Sequence, residues 1–367
     1  MLKNLLIHIL RILSQITLWR FKPTIIGVTG SVGKTSTKEA IFCVLKNKFD
    51  VRRNQKNYNN EIGVPLTILG VESGVSSPFK WMREIILAVY KIIFARKYPE
   101  ILVLEMGADK IGAIGYLTSF IKCRVGVLTA IGQIPVHVEF FRTPEQVAKE
   151  KGKLIKSLPA DGFAILNFDD ERVKKTAGVS SARKIFFGFN EGADLKASQT
   201  EIHLENLENA YFSFRVDWQG KSAPFRLNNI LGEHLIYSVL AAIAAGLVFK
   251  MNLVEISQAL KDFCSPPGRM RLIKGIKNSW LIDDTYNSSP SASLAALKTL
   301  SQISAKRRIV ALGDMLELGA YSEQAHRQVA TAAAKSADLF LAVGERAIFM
   351  ADQAKKEGLG RENIFYF

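Results

Sequence analysis

A glycine-rich loop is the feature of this sequence that indicates chemistry most directly. It runs from Gly27 to Ser36 as GVTGSVGKTS, after an apolar segment, Thr24–Thr29, and before a helical pattern from about Lys34 to Leu45. A strict phosphate-loop pattern requires glycine at Val28, so the match misses by one position. Strand, glycine loop and helix nevertheless follow in the order that a phosphate site requires. The loop therefore predicts a nucleotide-phosphate site.

Each residue type in the loop has a physical role at such a site. Gly30 and Gly33 allow backbone N–H groups close to phosphate oxygens. Lys34 supplies a positive charge, and Thr35 offers a hydroxyl to Mg²⁺. The predicted nucleotide contacts are Gly30, Ser31, Val32, Gly33, Lys34, Thr35 and Ser36.

Three further polar residues lie in or just after predicted strands and helices. Glu105 ends the strand Ile101–Glu105, and the carboxyl ends of parallel strands face ligand crevices. His137 follows another strand, predicted over Val125–Ile131, and Lys151 lies in a charged run within a helix predicted over Glu145–Leu158. Taken singly, each has an ordinary alternative: a strand-end acid, a structural histidine and a solvated charged face.

The loop and the segments after it together resemble the Mur ligase family. The resemblance rests on the following motifs, in the order in which the family carries them: TGSVGKTS at 29–36, NYNNEIGVPL at 57–66, LEMGA at 104–108, His137 with Lys151-Gly152 fourteen residues later, GRM at 268–270, DDTYN at 283–287 and LGDMLELG at 312–319. The similarity covers about residues 23–367.

The resemblance implies an ATP-dependent ligase that forms an acyl phosphate and then an amide during peptidoglycan precursor synthesis. UDP-N-acetylmuramoyl-tripeptide and D-Ala-D-Ala are the substrates it implies. Arg269 and Asp284 join the loop as ATP contacts, and two Mg²⁺ ions are expected. The implied metal ligands are Thr35, Glu105, His137 and Lys151 as a carbamate. The implied catalytic residues are Lys34, Lys151, His137 and Asn60.

The order of elements predicts an α/β fold with three parts. Residues 1–22 form an amphipathic helix, and residues 23–265 a central parallel-sheet ATPase domain with a small antiparallel extension between about 183 and 230. Residues 266–367, after the linker Ser265–Gly268, form a Rossmann-like domain. The expected UDP-binding domain has no counterpart in residues 1–22, and the last domain resembles an incomplete one. Leu235 and Ser238 stand where the family has asparagines near adenine.

Composition narrows the classes of partner and compartment. The net charge is +15, but no nucleic-acid-binding motif accompanies it, so we expect no nucleic-acid partner. The three cysteines have no metal or disulfide spacing, which indicates a reducing, cytoplasmic location. The basic first helix either contacts the inner face of an anionic membrane or packs on the domain behind it. We expect a monomer.

Two other hypotheses compete with the leading one. The chain could be a ligase of the same family that joins a different amine to a carboxylate. It could also be an inactive homologue that binds nucleotide.

Overall fold

The computed structural model describes residues 2–55, 57–228 and 230–367. Its strands are β1 Thr24–Thr29, β2 Val51–Arg53, β3 Ile101–Glu105, β4 Val125–Leu128, β5 Phe163–Asn167, β6 Arg183–Gly188, β7 Leu195–His203, β8 Tyr211–Trp218, β9 Lys221–Asn228, β10 Arg271–Lys274, β11 Trp280–Asp283, β12 Ile309–Gly313, β13 Leu339–Val343 and β14 Ile364–Tyr366. Its α-helices are α1 Leu2–Phe21, α2 Lys34–Leu45, α3 Gly63–Leu69, α4 Pro78–Phe94, α5 Ala113–Phe120, α6 Val138–Phe141, α7 Pro144–Lys156, α8 Glu171–Lys175, α9 Glu233–Val248, α10 Leu253–Leu260, α11 Pro290–Gln302, α12 Ser322–Ser336 and α13 Ile348–Lys356.

A nine-stranded sheet with the order β2-β3-β1-β4-β5-β6-β7-β8-β9 forms the centre of the molecule. The strands from β2 to β7 are parallel, and β7, β8 and β9 pair antiparallel. Strands buried on both faces need apolar residues at successive positions, as β1, β3 and β4 have. Because β1 pairs in parallel with both β3 and β4, the carboxyl ends of these three strands lie at one edge of the sheet. The candidate site forms at that edge.

Helices cover both faces of this sheet. Helices α2, α9 and α10 pack on one face around Ile41, Val44 and Leu240. Helices α5 and α7 pack on the other around Leu117, Leu154 and Ile155. The α2 and α7 helices thus hold Lys34 and Lys151 on opposite faces of the strands that end at the site.

The C-terminal part has its own sheet, which confirms the predicted α/β fold class. Strands β12, β13 and β14 are parallel, and α12 and α13 pack around Val310, Val329 and Phe340. Strand β11 does not belong to this sheet. It pairs antiparallel with β10 and forms a separate two-stranded ribbon. The division into residues 1–22, 23–265 and 266–367 stays a prediction.

Helices α1 and α4 form an additional layer over α3. Leu10 of α1 packs with Leu66 and Leu69 of α3 and with Ala88 and Ile92 of α4. Helix α4 begins at Pro78, since Ser77 caps it and Pro78 occupies its first turn. Within the residues described, no helix combines the length and apolar character that crossing a bilayer would require.

Candidate active site

The phosphate loop is held against the end of β4 by a fixed set of contacts. Thr129 donates its hydroxyl to the Val32 carbonyl at 2.6 Å, and Ser31 N–H donates to the Ala130 carbonyl at 2.7 Å. Gly30 has a φ of 153°, and a Cβ there would lie 1.9 Å from Thr129 Oγ1. The predicted strand Val125–Ile131 ends early, at Leu128, because its last residues turn to make these contacts.

Helix α2 begins immediately after this loop. Gly33 has a φ of 85°, a left-handed conformation that favours glycine, and no side chain caps the helix. The first N–H groups of α2 are therefore free to bind an anion. Ser238 of α9 donates to the Gly33 carbonyl at 3.4 Å and so braces the loop from the opposite side.

Lys34 extends into the cleft with few protein partners. Its Nζ lies 3.3 Å from the Ser31 carbonyl. Burial lowers the pKa of Lys34, the Glu105 carboxylate opposes that shift, and the Arg269 guanidinium adds to it. An anion between Lys34 and Arg269 would stabilise both cations, as the phosphates of a nucleotide would.

Glu105 lies at the end of β3 in a network that the sequence analysis missed. Asn59 donates to its Oε1 at 3.0 Å, and the Asn54 Oδ1 accepts from its backbone N–H at 2.6 Å. Lys38, one turn after Lys34, is fully buried, with its Nζ 3.7 Å from Glu105 Oε2 and 3.0 Å from the Asn54 carbonyl. The sequence did contain a sign of this role. Lys38 lies four residues after Lys34, so the two side chains share one face of the predicted helix.

We expect Lys38→Met to lower the free energy of unfolding by about 3 kcal/mol, because it removes the ammonium group that lies 3.7 Å from the buried Glu105 carboxylate and 3.3 Å from Glu39. Mg²⁺ should restore more stability to this variant than to the parent, since a bound cation would replace the lost charge. Urea denaturation with and without Mg²⁺ measures both effects. Lys46→Met, at the exposed end of α2, is the matched control, and equal behaviour of the two variants would contradict the assignment.

Asn60, a predicted catalytic residue, has a local structural role. Its Oδ1 accepts from the backbone N–H groups of Ile62 and Gly63, at 3.1 and 2.9 Å, at the start of α3. The residue is exposed and still lines the cleft, so its amide N–H₂ group is the part available to a ligand. Its neighbour Asn59, rather than Asn60, contacts Glu105.

His137 connects the cleft to the C-terminal part. Its Nδ1 contacts the Glu317 carboxylate, and Glu139 N–H donates to the Glu317 carbonyl at 3.2 Å. Burial lowers the pKa of His137 and Glu317 opposes this, whereas Lys34 and Lys151 lower the pKa further. The motif at 312–319 therefore reaches the His137 side of the cleft.

Lys151 lies in the interior, on the buried face of α7. Its exposed fraction is 0%, and its Nζ has no hydrogen-bond partner among the residues described. Burial lowers the pKa of Lys151 well below its usual value, and the Lys34 charge acts in the same direction. The solvated charged face considered for residues 149–153 is therefore wrong for Lys151, although Lys149 is exposed.

Two residues of the C-terminal part complete the cleft. The Arg269 guanidinium lies 4.2 Å from the centre of the Tyr286 ring, and the Tyr286 hydroxyl contacts Asn57. Asp284 accepts from Met270 N–H at 3.1 Å, and burial raises the pKa of its carboxyl group. Tyr286 and Asn57 belong to the motifs at 283–287 and 57–66, but the sequence alone did not predict them as site residues.

Two adjoining cavities result from this arrangement. One of about 260 Å³ is lined by Lys34, Thr35, Glu105, His137 and Arg269. The other, of about 420 Å³, is lined by His234, Leu235, Ser238, Asp284 and the loop. Gly33, Thr35 and Arg269 line both cavities. The structure thus brings the predicted loop, Glu105, His137, Arg269 and Asp284 together, whereas Lys151 lies behind the cleft and does not line it.

The larger cavity also contains residues that sequence reasoning missed. Tyr237 donates to Asp169 Oδ2 at 3.0 Å, and Asp169 also accepts from the Phe189 N–H at 2.7 Å. Asn167 ends β5 and lines the same cavity. Burial lowers the pKa of His234 to about 4, so its ring is neutral at pH 7. Leu235 and Ser238 leave this end less polar than two asparagines would.

Comparison with known protein families decides what these motifs mean together. The model of the Mur ligase middle domain matches residues 28–79 and 82–246, and that of the Mur ligase glutamate ligase domain matches residues 268–367. The chain belongs to the Mur ligase family. The family that the motifs resemble is thereby confirmed.

This Mur ligase is similar to named relatives over most of its length. It is 30% identical over 325 residues to the UDP-N-acetylmuramoyl-tripeptide–D-alanyl-D-alanine ligase of Escherichia coli, covering 88% of this chain and 65% of that protein. The enzyme of the same name from Bacillus subtilis is 30% identical, with coverage of 90% and 65%. The chain therefore spans about two thirds of the length of these relatives.

Solved structures of Mur ligases share the fold of this chain. A crystal structure of MurF from Acinetobacter baumannii superposes with a TM-score of 0.80 at 25% identity, covering 98% of this Mur ligase and 70% of that chain. A MurF ligase from Thermotoga maritima, solved in complex with ADP, superposes with a TM-score of 0.78 at 24% identity, covering 98% and 74%. The second likeness supports the fold alone.

Proposed function

We propose that this Mur ligase joins D-Ala-D-Ala to UDP-N-acetylmuramoyl-tripeptide at the expense of ATP. The observation that carries the proposal is the convergence of Lys34, Glu105 and Arg269 on one cleft beside a second cavity. A nucleoside triphosphate needs such a pair of compartments: a cationic one for its phosphates and a less polar one for its nucleoside. The relatives from Escherichia coli and Bacillus subtilis supply the substrate class.

In this proposal ATP lies across both cavities. Its phosphates contact the loop from Gly30 to Ser36 and Arg269, and its ribose contacts Asp284. The adenine lies in the 420 Å³ cavity against Leu235, Tyr237 and Ser238. With the asparagines replaced by Leu235 and Ser238, contacts to the flat faces of the base contribute more here than hydrogen bonds to its edge.

The residues present fit the implied Mg²⁺ and carbamate. Thr35 and Glu105 offer oxygen ligands in the cleft, which a magnesium ion shared with phosphates requires. Among the residues described, no group of three or more acidic, histidine or cysteine side chains is placed so that it could hold a metal ion. A second ion would therefore depend on His137 together with a carbamate on Lys151. A buried, unpartnered amine with a lowered pKa is the form of lysine that reacts with CO₂.

The proposed reaction has two steps. A carboxylate oxygen of the tripeptide attacks the γ-phosphorus of ATP, and ADP leaves. The amine of D-Ala-D-Ala then attacks the acyl carbon of the acyl phosphate, and phosphate leaves as the amine loses a proton. Lys34 and Arg269 stabilise the negative charge that develops in both steps. Bound Mg²⁺ supplies further charge neutralisation, and the Asn60 amide orients a reacting group.

The test is ATP-dependent phosphate release with UDP-N-acetylmuramoyl-tripeptide, with and without D-Ala-D-Ala. We expect release only when both substrates are present. Release that requires the tripeptide and a different amine would indicate a ligase with another acceptor. ADP binding without any phosphate release would indicate an inactive homologue. Either result would contradict the proposal.

The proposal also includes where the enzyme acts and whether it assembles. We place the enzyme in the cytoplasm as a monomer, with residues 1–22 in peripheral contact with the anionic inner face of the membrane. The N-terminal sequence is basic and contains no acidic residue.

A further inference from the structure

Helix α4 is apolar on both of its faces. Its inner face contributes Ala88 and Ile92 to the packing against α1 and α3. Its outer face carries a second apolar stripe, in which every residue is exposed: Phe79, Met82, Ile86, Val89, Tyr90, Ile93 and Phe94. These positions recur at intervals of three and four residues, so they form one continuous stripe. A contiguous apolar patch of this kind on a protein surface marks a site of contact with another protein or a membrane.

Helix α1, which packs against α4, carries a second set of exposed apolar side chains. Its side chains Leu5, Ile12, Ile16 and Trp19 are also exposed, and the exposed fraction of Trp19 is 77%. The two helices are fixed to one another at their C-terminal ends, where Arg20 donates to the carbonyls of Ile93 and Ala95 at 2.8 and 3.3 Å. We call the exposed apolar side chains of α1 and α4 the outer face.

The charge around the outer face is strongly one-sided. Residues 2–22 and 78–97 contain nine basic residues and one acidic residue, a net charge of +8 out of +15 for the whole chain. The single acid, Glu84, is buried and paired with Arg83 at 2.6 Å. Lys3, Lys22, Lys80, Arg96 and Lys97 are exposed. More than half of the net charge therefore belongs to these two segments.

We propose that the outer face is a docking surface for an anionic lipid bilayer, with α1 and α4 lying in the plane of the headgroups. Apolar side chains enter the acyl boundary, exposed lysines and arginines bind anionic headgroups, and Trp19 and Tyr90 lie at the level where aromatic residues concentrate. Neither helix can cross the bilayer, so the contact is peripheral. Helix α4 contributes seven of the side chains named above to the outer face, whereas α1, the segment that the sequence analysis considered for membrane contact, contributes four.

A second copy of the chain is the main alternative occupant. The stripe on α4 covers about two heptads, fewer than the three or four that a stable coiled coil needs. The high positive charge of both segments would also repel an identical face, whereas it attracts an anionic surface. Charge complementarity therefore favours the bilayer.

The test is flotation of the full chain with vesicles of phosphatidylcholine alone or mixed with phosphatidylglycerol. The expected result is binding to the mixed vesicles at least about tenfold stronger than to phosphatidylcholine, weakening as salt rises. The double variant Ile86→Glu with Ile93→Glu should lose at least about tenfold in binding, because both charges would enter the acyl boundary. These positions are 62% and 54% exposed, so the fold should persist, and thermal melting checks this.

Val254→Glu is the matched control, since Val254 is 62% exposed on α10, far from the outer face in sequence. It should bind vesicles as the parent does. The proposal is overturned if the parent does not float, if both variants behave alike, or if the two vesicle types bind equally. It is also overturned if the parent is a dimer that does not bind vesicles, while the double variant is a monomer. Phosphate release without lipid is read separately, so a failure of docking is distinct from a failure of the ligase proposal.

Discussion

Replacing Lys34 by alanine should lower the rate of substrate-dependent phosphate release by roughly 100- to 1000-fold. Lys34 is the first residue of α2, and it lines the same cleft as Arg269 and Glu105. Charge that develops on the transferring phosphoryl group would lose one of its two fixed protein cations. Steady-state kinetics of phosphate release, with both substrates saturating, measure the effect.

Two further variants make this prediction specific. Lys34→Arg keeps the charge but replaces a compact ammonium by a planar group, so it should restore only part of the activity. Lys46→Ala removes an exposed lysine at the other end of α2 and should leave the rate unchanged. All three chains should melt like the parent, because among the residues described the Lys34 amine makes one long hydrogen bond, at 3.3 Å. Full activity of Lys34→Ala would remove the loop from the mechanism.

Replacing Lys151 by alanine should reduce phosphate release by at least about 100-fold. A residue that only orients a metal ligand typically contributes up to about 100-fold, and the carbamate is proposed as a ligand itself. The amine is wholly buried and unpartnered among the residues described, which is a costly arrangement unless the lysine is modified. A short carboxylic acid in the medium should restore part of the lost activity by filling the vacated space with a carboxylate.

The carbamate can also be detected without turnover. ¹³C-labelled bicarbonate should give the parent protein a carbamate resonance in its NMR spectrum, and Lys151→Met should lack it while keeping the packing volume. Lys149→Ala, an exposed neighbour on the same helix, should retain both the resonance and the activity. Absence of the resonance from the parent, or an active Lys151→Ala that needs no added acid, would contradict the carbamate.

Both predictions depend on the same electrostatic feature of the cleft. Burial lowers the pKa values of Lys34, Lys151, His137 and Arg269, and each of the first three is lowered further by a neighbouring cation. Such a cation-rich site is stabilised when anions bind. Nucleotide binding should therefore raise the stability of the parent, and should do so less for Lys34→Ala.

The sequence by itself determined the central part of this protein. Strands β1 and β3 and helix α2 were predicted with their observed bounds, because continuous β-branched and apolar runs and the Gly33-Lys34 junction are local signals. The motifs in family order also determined the family, since each depends on residue types and spacing alone. Glu105 could be assigned to the site because the carboxyl ends of parallel strands meet at one edge.

Other features were decided only by the tertiary structure. Nothing local distinguishes Lys151 from Lys149, but the packing of α7 buries one amine and leaves the other in water. Likewise, Lys38 becomes the partner of Glu105 only because α2 packs beside β3. The outer face appears only when α1 and α4 lie together on α3, since each helix uses its inner stripe there and leaves the other exposed. Burial and neighbouring charges depend on contacts between residues distant in sequence, and periodicity carries no record of them.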